Sequence, residues 1–145
     1  MFVSSDYGTG GAVFRLTDKE EPITIWKTKA MNNHFSSSVL YEGKLYGFSE
    51  QRLRCVDFET GEIKWDQPGL GRGSVVIVDG QLIALSEQGD LVLAKAAPDA
   101  FTEISRCRLF ANDPLTRTAP VVSGGKLFVR HENGLVAFDL KKEAE

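Results

Sequence analysis

Ser38-Val39-Leu40-Tyr41-Glu42-Gly43-Lys44-Leu45-Tyr46-Gly47-Phe48-Ser49 reads as two short apolar strands joined by a two-residue turn that ends in glycine. The same phrase returns twice. Val75-Val76-Ile77-Val78 leads through Asp79-Gly80 into Gln81-Leu82-Ile83-Ala84-Leu85-Ser86, and Pro120-Val121-Val122 leads through Gly124-Gly125 into Lys126-Leu127-Phe128-Val129-Arg130-His131. Each copy then passes a polar corner into a third apolar run beginning at Leu53, Leu91 or Leu135, so residues 37–58, 73–95 and 118–139 overlay as three copies of one unit. Self-similarity at a period of roughly 35 to 45 residues marks an array of like supersecondary units.

The turns fix the pairing. A two-residue connection between strands requires positive φ, which glycine adopts without steric penalty, so the first two strands of each copy pair antiparallel. After the third strand, Thr60-Gly61 makes another tight turn into a fourth strand that carries Trp65. Upstream, Phe2-Val3-Ser4, Ala12-Val13-Phe14-Arg15-Leu16 and Ile23-Thr24-Ile25-Trp26 read as the last three strands of a further unit. A four-stranded antiparallel unit of this size is the blade of a β-propeller. The expectation is therefore an all-β chain, residues 1–145 as a single domain, holding about three to four blades as a partial or half propeller.

The string Asp57-Phe58-Glu59-Thr60-Gly61-Glu62-Ile63-Lys64-Trp65 resembles the D-x-x-T-G-x-x-x-W signature of the pyrroloquinoline-quinone-like (PQQ-like) β-propeller repeat family. The resemblance implies that Asp57, Thr60 and Gly61 tie down a turn while Trp65, and Trp26 at the matching strand upstream, pack between blades. These roles are structural. The second copy departs from the signature at Lys95-Ala96-Ala97-Pro98-Asp99, and the third reaches Asp139 without a tryptophan. Propellers close with about four to eight blades, so so short an array is expected to be part of a larger propeller or to be completed by a homodimer. A chain opening at a second strand favours the first of these. The family is often exported or periplasmic, yet the N-terminal residues lack the charged start and long apolar segment of a signal peptide, which leaves the compartment open.

Composition narrows the partners. With 17 basic against 20 acidic residues the net charge is −3, and the basic residues are scattered, which argues against nucleic acid. No apolar stretch approaches the length of a membrane span. Cys55 falls in the repeat register of Leu93 and Ala137 and reads as a small core residue. Cys107, between Arg106 and Arg108 on a fourth strand, also reads as a structural thiol. His34 and His131 belong to no metal-binding pattern, so no metal is expected. The glycines at Gly8-Thr9-Gly10-Gly11 and Gly69-Leu70-Gly71 precede strands and read as corners, because a phosphate cradle needs a helix behind it.

Blade geometry locates a binding surface better than any motif. Connections between blades and corners between second and third strands emerge on one face. That face gathers Asn32, Asn33, His34, Arg72 and Arg117 from the connections, and Glu50-Gln51-Arg52, Glu87-Gln88 and His131-Glu132-Asn133 from the corners. The candidate binding residues are Asn33, His34, Arg72, Arg117 and His131, side chains suited to hydrogen bonding and anion capture. The resemblance implies a non-catalytic scaffold that binds a protein or small ligand there, with no cofactor. The alternative it implies is a C-terminal piece of a PQQ-dependent oxidoreductase, which would need PQQ, a cation held by oxygen ligands, a carboxylate base and stacking rings. The adjacent cysteines often found in such enzymes are missing from the sequence.

Overall fold

The computed structural model describes residues 1–18, 21–110 and 115–140. Among these residues it is all-β, with fourteen strands and no helix, gathered in four antiparallel sheets. The first sheet holds β1 (Phe2–Ser5), β2 (Gly10–Arg15) and β3 (Ile23–Thr28). The second holds β4 (Val39–Tyr41), β5 (Lys44–Ser49), β6 (Arg52–Asp57) and β7 (Ile63–Gln67). The third holds β8 (Gly73–Val78), β9 (Gln81–Ser86), β10 (Asp90–Lys95) and β11 (Glu103–Arg108), and the fourth β12 (Val121–Ser123), β13 (Lys126–His131) and β14 (Gly134–Asp139). Within each sheet spatial order follows chain order, the meander of a propeller blade.

The repeat is carried by register as well as by sequence. Leu45 faces Val56, Leu82 faces Ala94 and Leu127 faces Phe138 across corresponding strand pairs. The turns that set this register have both central residues at positive φ: Glu42-Gly43 at 46° and 72°, Asp79-Gly80 at 49° and 72°, Gly124-Gly125 at 58° and 74°. That is the twist a two-residue hairpin demands. The second copy loses the signature turn yet keeps its outer strand, since β10 pairs with β11 through a longer connection. The fourth strand of the last copy would follow Leu140, outside the described residues.

Successive residues of a strand point to opposite faces. Leu45 therefore joins Ala30, Met31 and Val56 between the first two sheets, while its neighbour Tyr46 joins Leu53, Cys55, Trp65 and Leu82 between the second and third. Leu82 and Ile83 repeat the division one sheet on, with Ile83 packing among Leu85, Leu127 and Val129. Sheets covered on both faces need nearly continuous apolar strands, which is why β5 and β9 are buried along almost their whole length.

The two tryptophans bind the first sheet to the second and the second to the third by the same contact. Trp26 Nε1 donates to the Phe58 carbonyl at 3.0 Å, and Trp65 Nε1 donates to the Ala97 carbonyl at 2.8 Å. In both cases a fourth-strand indole reaches the turn between the third and fourth strands of the following sheet.

Candidate functional site

The signature turn is built for rigidity. Asp57 Oδ1 accepts the Glu59 and Thr60 amides, each at 2.9 Å, and the Thr60 hydroxyl at 3.2 Å, while Lys44 Nζ lies 3.1 Å from Oδ2. The Thr60 amide and the Lys44 ammonium hold this carboxyl down at about 2. Gly61 sits at φ 77°, and a Cβ there would stand 3.0 Å from the Trp26 ring, so the turn requires glycine for both conformation and contact. Lys126 and Asp139 repeat the Lys44–Asp57 pair at 3.9 Å in the fourth sheet.

Two corners, from the first and second sheets, and the connection between the second and third sheets meet in a cleft of about 550 Å³. Asp6 and Tyr7 enter from the β1–β2 corner, residues 50–52 from the β5–β6 corner, and Pro68, Gly69 and Arg72 from the connection between β7 and β8. Backbone bonds fasten two of these segments to neighbouring connections and corners: the Glu50 amide donates to the Asn32 carbonyl at 3.0 Å, and the Glu87 amide donates to the Arg72 carbonyl at 2.7 Å. Tyr7 and Glu50 both hold left-handed backbone, φ 57° and 55°, and Tyr7 is 88% exposed.

Charge within the cleft is unevenly committed. Arg52 reaches Asp66 through Nε and a terminal nitrogen at 2.7 Å, and Arg54 Nε shares that carboxylate at 3.0 Å. Arg52, with Arg54 behind it, draws Asp66 below the ordinary carboxylate range. Asp6 is buried, 3.7 Å from His34 Nε2, a nitrogen also 3.3 Å from the Tyr7 hydroxyl. The Arg72 Nε is buried with no hydrogen-bond partner among the described residues.

The expected binding residues are dispersed. Arg72 lines the cleft, and His34 stands at the surface behind its Asp6–Tyr7 rim, edge-on to both Tyr7 and Phe35. Arg117 and His131 line a separate, smaller depression of about 140 Å³ with Thr118 and Glu132, where the His131 ring lies 4.4 Å from Phe110. Asn33 is placed otherwise than expected. It is 6% exposed, its Nδ2 donates to the Phe48 carbonyl at 2.9 Å and its Oδ1 accepts from Ser38. Asn33 thus fastens the connection after β3 to β5 instead of facing outward, because the backbone it spans is buried and needs those bonds. Asp6 and Tyr7 were absent from the sequence-based set. The signal was available, since the first unit opens on a second strand and its corner must then fall at Asp6-Tyr7.

Of the thiols, Cys55 is buried and burial pushes it up to about 11, as a core residue requires. Cys107 is exposed on β11, so its assignment as a structural thiol is corrected: an outer strand with no sheet packed over it leaves the side chain in solvent. Among the described residues no three His, Cys, Asp or Glu side chains converge as a metal site. No helix among them is long and apolar enough to cross a membrane.

Neither a protein-family model nor a curated protein matches the sequence. Solved structures do. The chain is similar to BamB from Moraxella catarrhalis at 15% identity and a TM-score of 0.65, over 94% of this chain and 45% of that one. It is similar to the quinohemoprotein alcohol dehydrogenase from Comamonas testosteroni at 19% identity and a TM-score of 0.58, over 73% of this chain and 19% of that one. A europium-containing methanol dehydrogenase matches at 15% identity and a TM-score of 0.52, over 72% of this chain and 23% of that one. The chain thus has the PQQ-like β-propeller fold, and it spans less than half the length of these neighbours.

Proposed function

We propose that the chain is a non-catalytic propeller repeat module that binds an extended protein segment across the cleft formed by its corners. The observation that carries this reading is the convergence of two corners and one inter-sheet connection on one open cleft, with the ring of Tyr7 standing in solvent at its rim. A large exposed aromatic beside hydrogen-bonding side chains is the composition of a recognition surface. The likeness to BamB over nearly the whole of this chain supports the same reading.

The dehydrogenases among the structural neighbours favour a second reading, a piece of a quinone-dependent oxidoreductase. The residues present do not fit PQQ. The two indoles that could stack on a quinone are packed between sheets, with their N–H groups committed to carbonyls of the following sheet. The outer faces of the first and fourth sheets carry Val3, Val121 and Leu135, each about half exposed or more. Further blades of a longer chain or a second copy of this one would cover them, and light scattering across a dilution series separates these arrangements.

The test of the binding reading is amide NMR on the labelled chain with a peptide selected against it by display. Shifts are expected at residues 6–9, 50–52 and 69–72. Shifts confined to the opposite turns at 42–43 and 79–80, or saturable binding of PQQ with calcium, would refute it.

A further inference from the structure

β1 has a neighbouring strand on one side only, β2. The Met1 amino group donates to the Phe14 carbonyl and the Phe14 amide to the Met1 carbonyl, which fixes the phase of the ladder. Backbone groups in an antiparallel pair alternate, so Val3 and Ser5 also turn toward β2, while Phe2 and Ser4 turn their amides and carbonyls to the open side. Among the described residues none bonds to them there. A row of unpaired backbone donors and acceptors is a template for another strand.

The other sheets show what that place takes. Phe2 faces Val13 as Tyr46 faces Cys55, Ile83 faces Leu93 and Phe128 faces Ala137. Opposite Tyr46, Ile83 and Phe128, on the first strand of each sheet, stands a valine: Val39, Val76 or Val121. Two residues before each valine the side chain is small, Ser37, Ser74 or Ala119. Beside β1 the matching place holds a groove of about 260 Å³, lined by Phe2, Ser4, Asn33 and residues 36–38. In the second sheet the carbonyl of Phe48, the counterpart of Ser4, is taken by Asn33 Nδ2. The Ser4 carbonyl has no such cap among the described residues.

We propose that the open edge of β1 receives an extended strand of a partner polypeptide, antiparallel to Phe2–Ser5, with a valine opposite Phe2 and a small residue opposite Ser4. The Phe2 and Ser4 backbone supplies the pairing, and the groove beside Phe2 takes the valine, the division of labour by which an added strand is held and selected. β4, β8 and β12 are already paired in their own sheets, so a second copy of this chain has no first strand to lend. The site is separate from the corner cleft and does not depend on the loop-face reading.

The experiment titrates the labelled chain with the synthetic peptide acetyl-Ser-Ser-Val-Leu-Tyr-amide, which copies residues 37–41, and follows amide shifts and hydrogen exchange. Saturable shifts are expected at residues 2–5 and 36–38, with the Phe2 and Ser4 amides becoming protected from exchange. An N-methyl group on the valine removes the donor to the Phe2 carbonyl, and this peptide is expected to bind about tenfold or more weakly. A peptide with lysine in place of the valine is expected to bind more weakly as well. Absence of saturable shifts, an equal response to the N-methyl peptide, or binding that leaves Phe2 and Ser4 unprotected overturns the proposal. Protection of Phe2 and Ser4 that grows with the concentration of the chain alone assigns the edge to a second copy and overturns the partner polypeptide. All arms use the unaltered chain, so none depends on the folding of a variant.

Discussion

Replacing Trp65 by alanine should loosen the junction between the second and third sheets and leave the preceding junction intact. Trp65 is 8% exposed, its ring lies 6.0 Å from Tyr46 and 5.5 Å from Phe101, and its N–H is bonded to the Ala97 carbonyl. Truncating an indole so buried costs about 3 to 5 kcal/mol. About 1 kcal/mol of this is the hydrogen bond, which Trp65→Phe removes while keeping a ring in place. At a urea slope near 2 kcal/mol per molar, Trp65→Ala moves the midpoint down by about 2 M. The variant keeps Trp26 as its only indole, and Trp26 reports the junction between the first two sheets. In a linear array stability is a sum of unit and interface terms, so a weakened interface should split the transition. Circular dichroism is expected to fall first and Trp26 fluorescence later. A midpoint shift no larger than that of the surface substitution Arg117→Ala, with the two probes still coincident, would refute the assignment of Trp65 as a bond between sheets.

Asp57→Ala should cost about 1 to 3 kcal/mol in the same melt, with Asp57→Asn costing less because the amide oxygen can still accept the Thr60 and Glu59 amides. Since folding lowers the Asp57 pKa from 3.8 to about 2, its contribution is complete above about pH 4 and is lost as pH falls through about 2; Asp57→Asn should flatten that part of the stability profile in acid melts. A thiol reagent added to the native chain should titrate one cysteine promptly, the exposed Cys107, and reach Cys55 only on unfolding; two fast equivalents would overturn the burial of Cys55. Asn33→Ala should lose about 1 to 3 kcal/mol by stranding the Phe48 carbonyl, whereas Arg117→Ala should stay within about 0.5 kcal/mol, and equal losses in urea melts would contradict the division between a fastening residue and a rim residue.

The sequence determined the architecture because the determinants of a blade are local. Hairpin turns such as Glu42-Gly43 and Asp79-Gly80, apolar runs on either side of them, and the Asp57–Trp65 signature each act within a few residues, and repetition made them mutually reinforcing. From these followed the strand pairing, the two inter-sheet tryptophans and the face on which corners gather. Which side chains on that face are available to a ligand was decided only by tertiary packing. Asn33 and His34 are neighbours in sequence, yet Asn33 is drawn inward to satisfy the buried Phe48 carbonyl while His34 stays at the surface beside Tyr7. Arg52 and Arg72 look alike in a string of letters. One is neutralised by Asp66 from the neighbouring strand and the other keeps a buried N–H with no acceptor among the described residues, because whether a guanidinium finds a carboxylate depends on groups that only the packing of strands and sheets brings within reach.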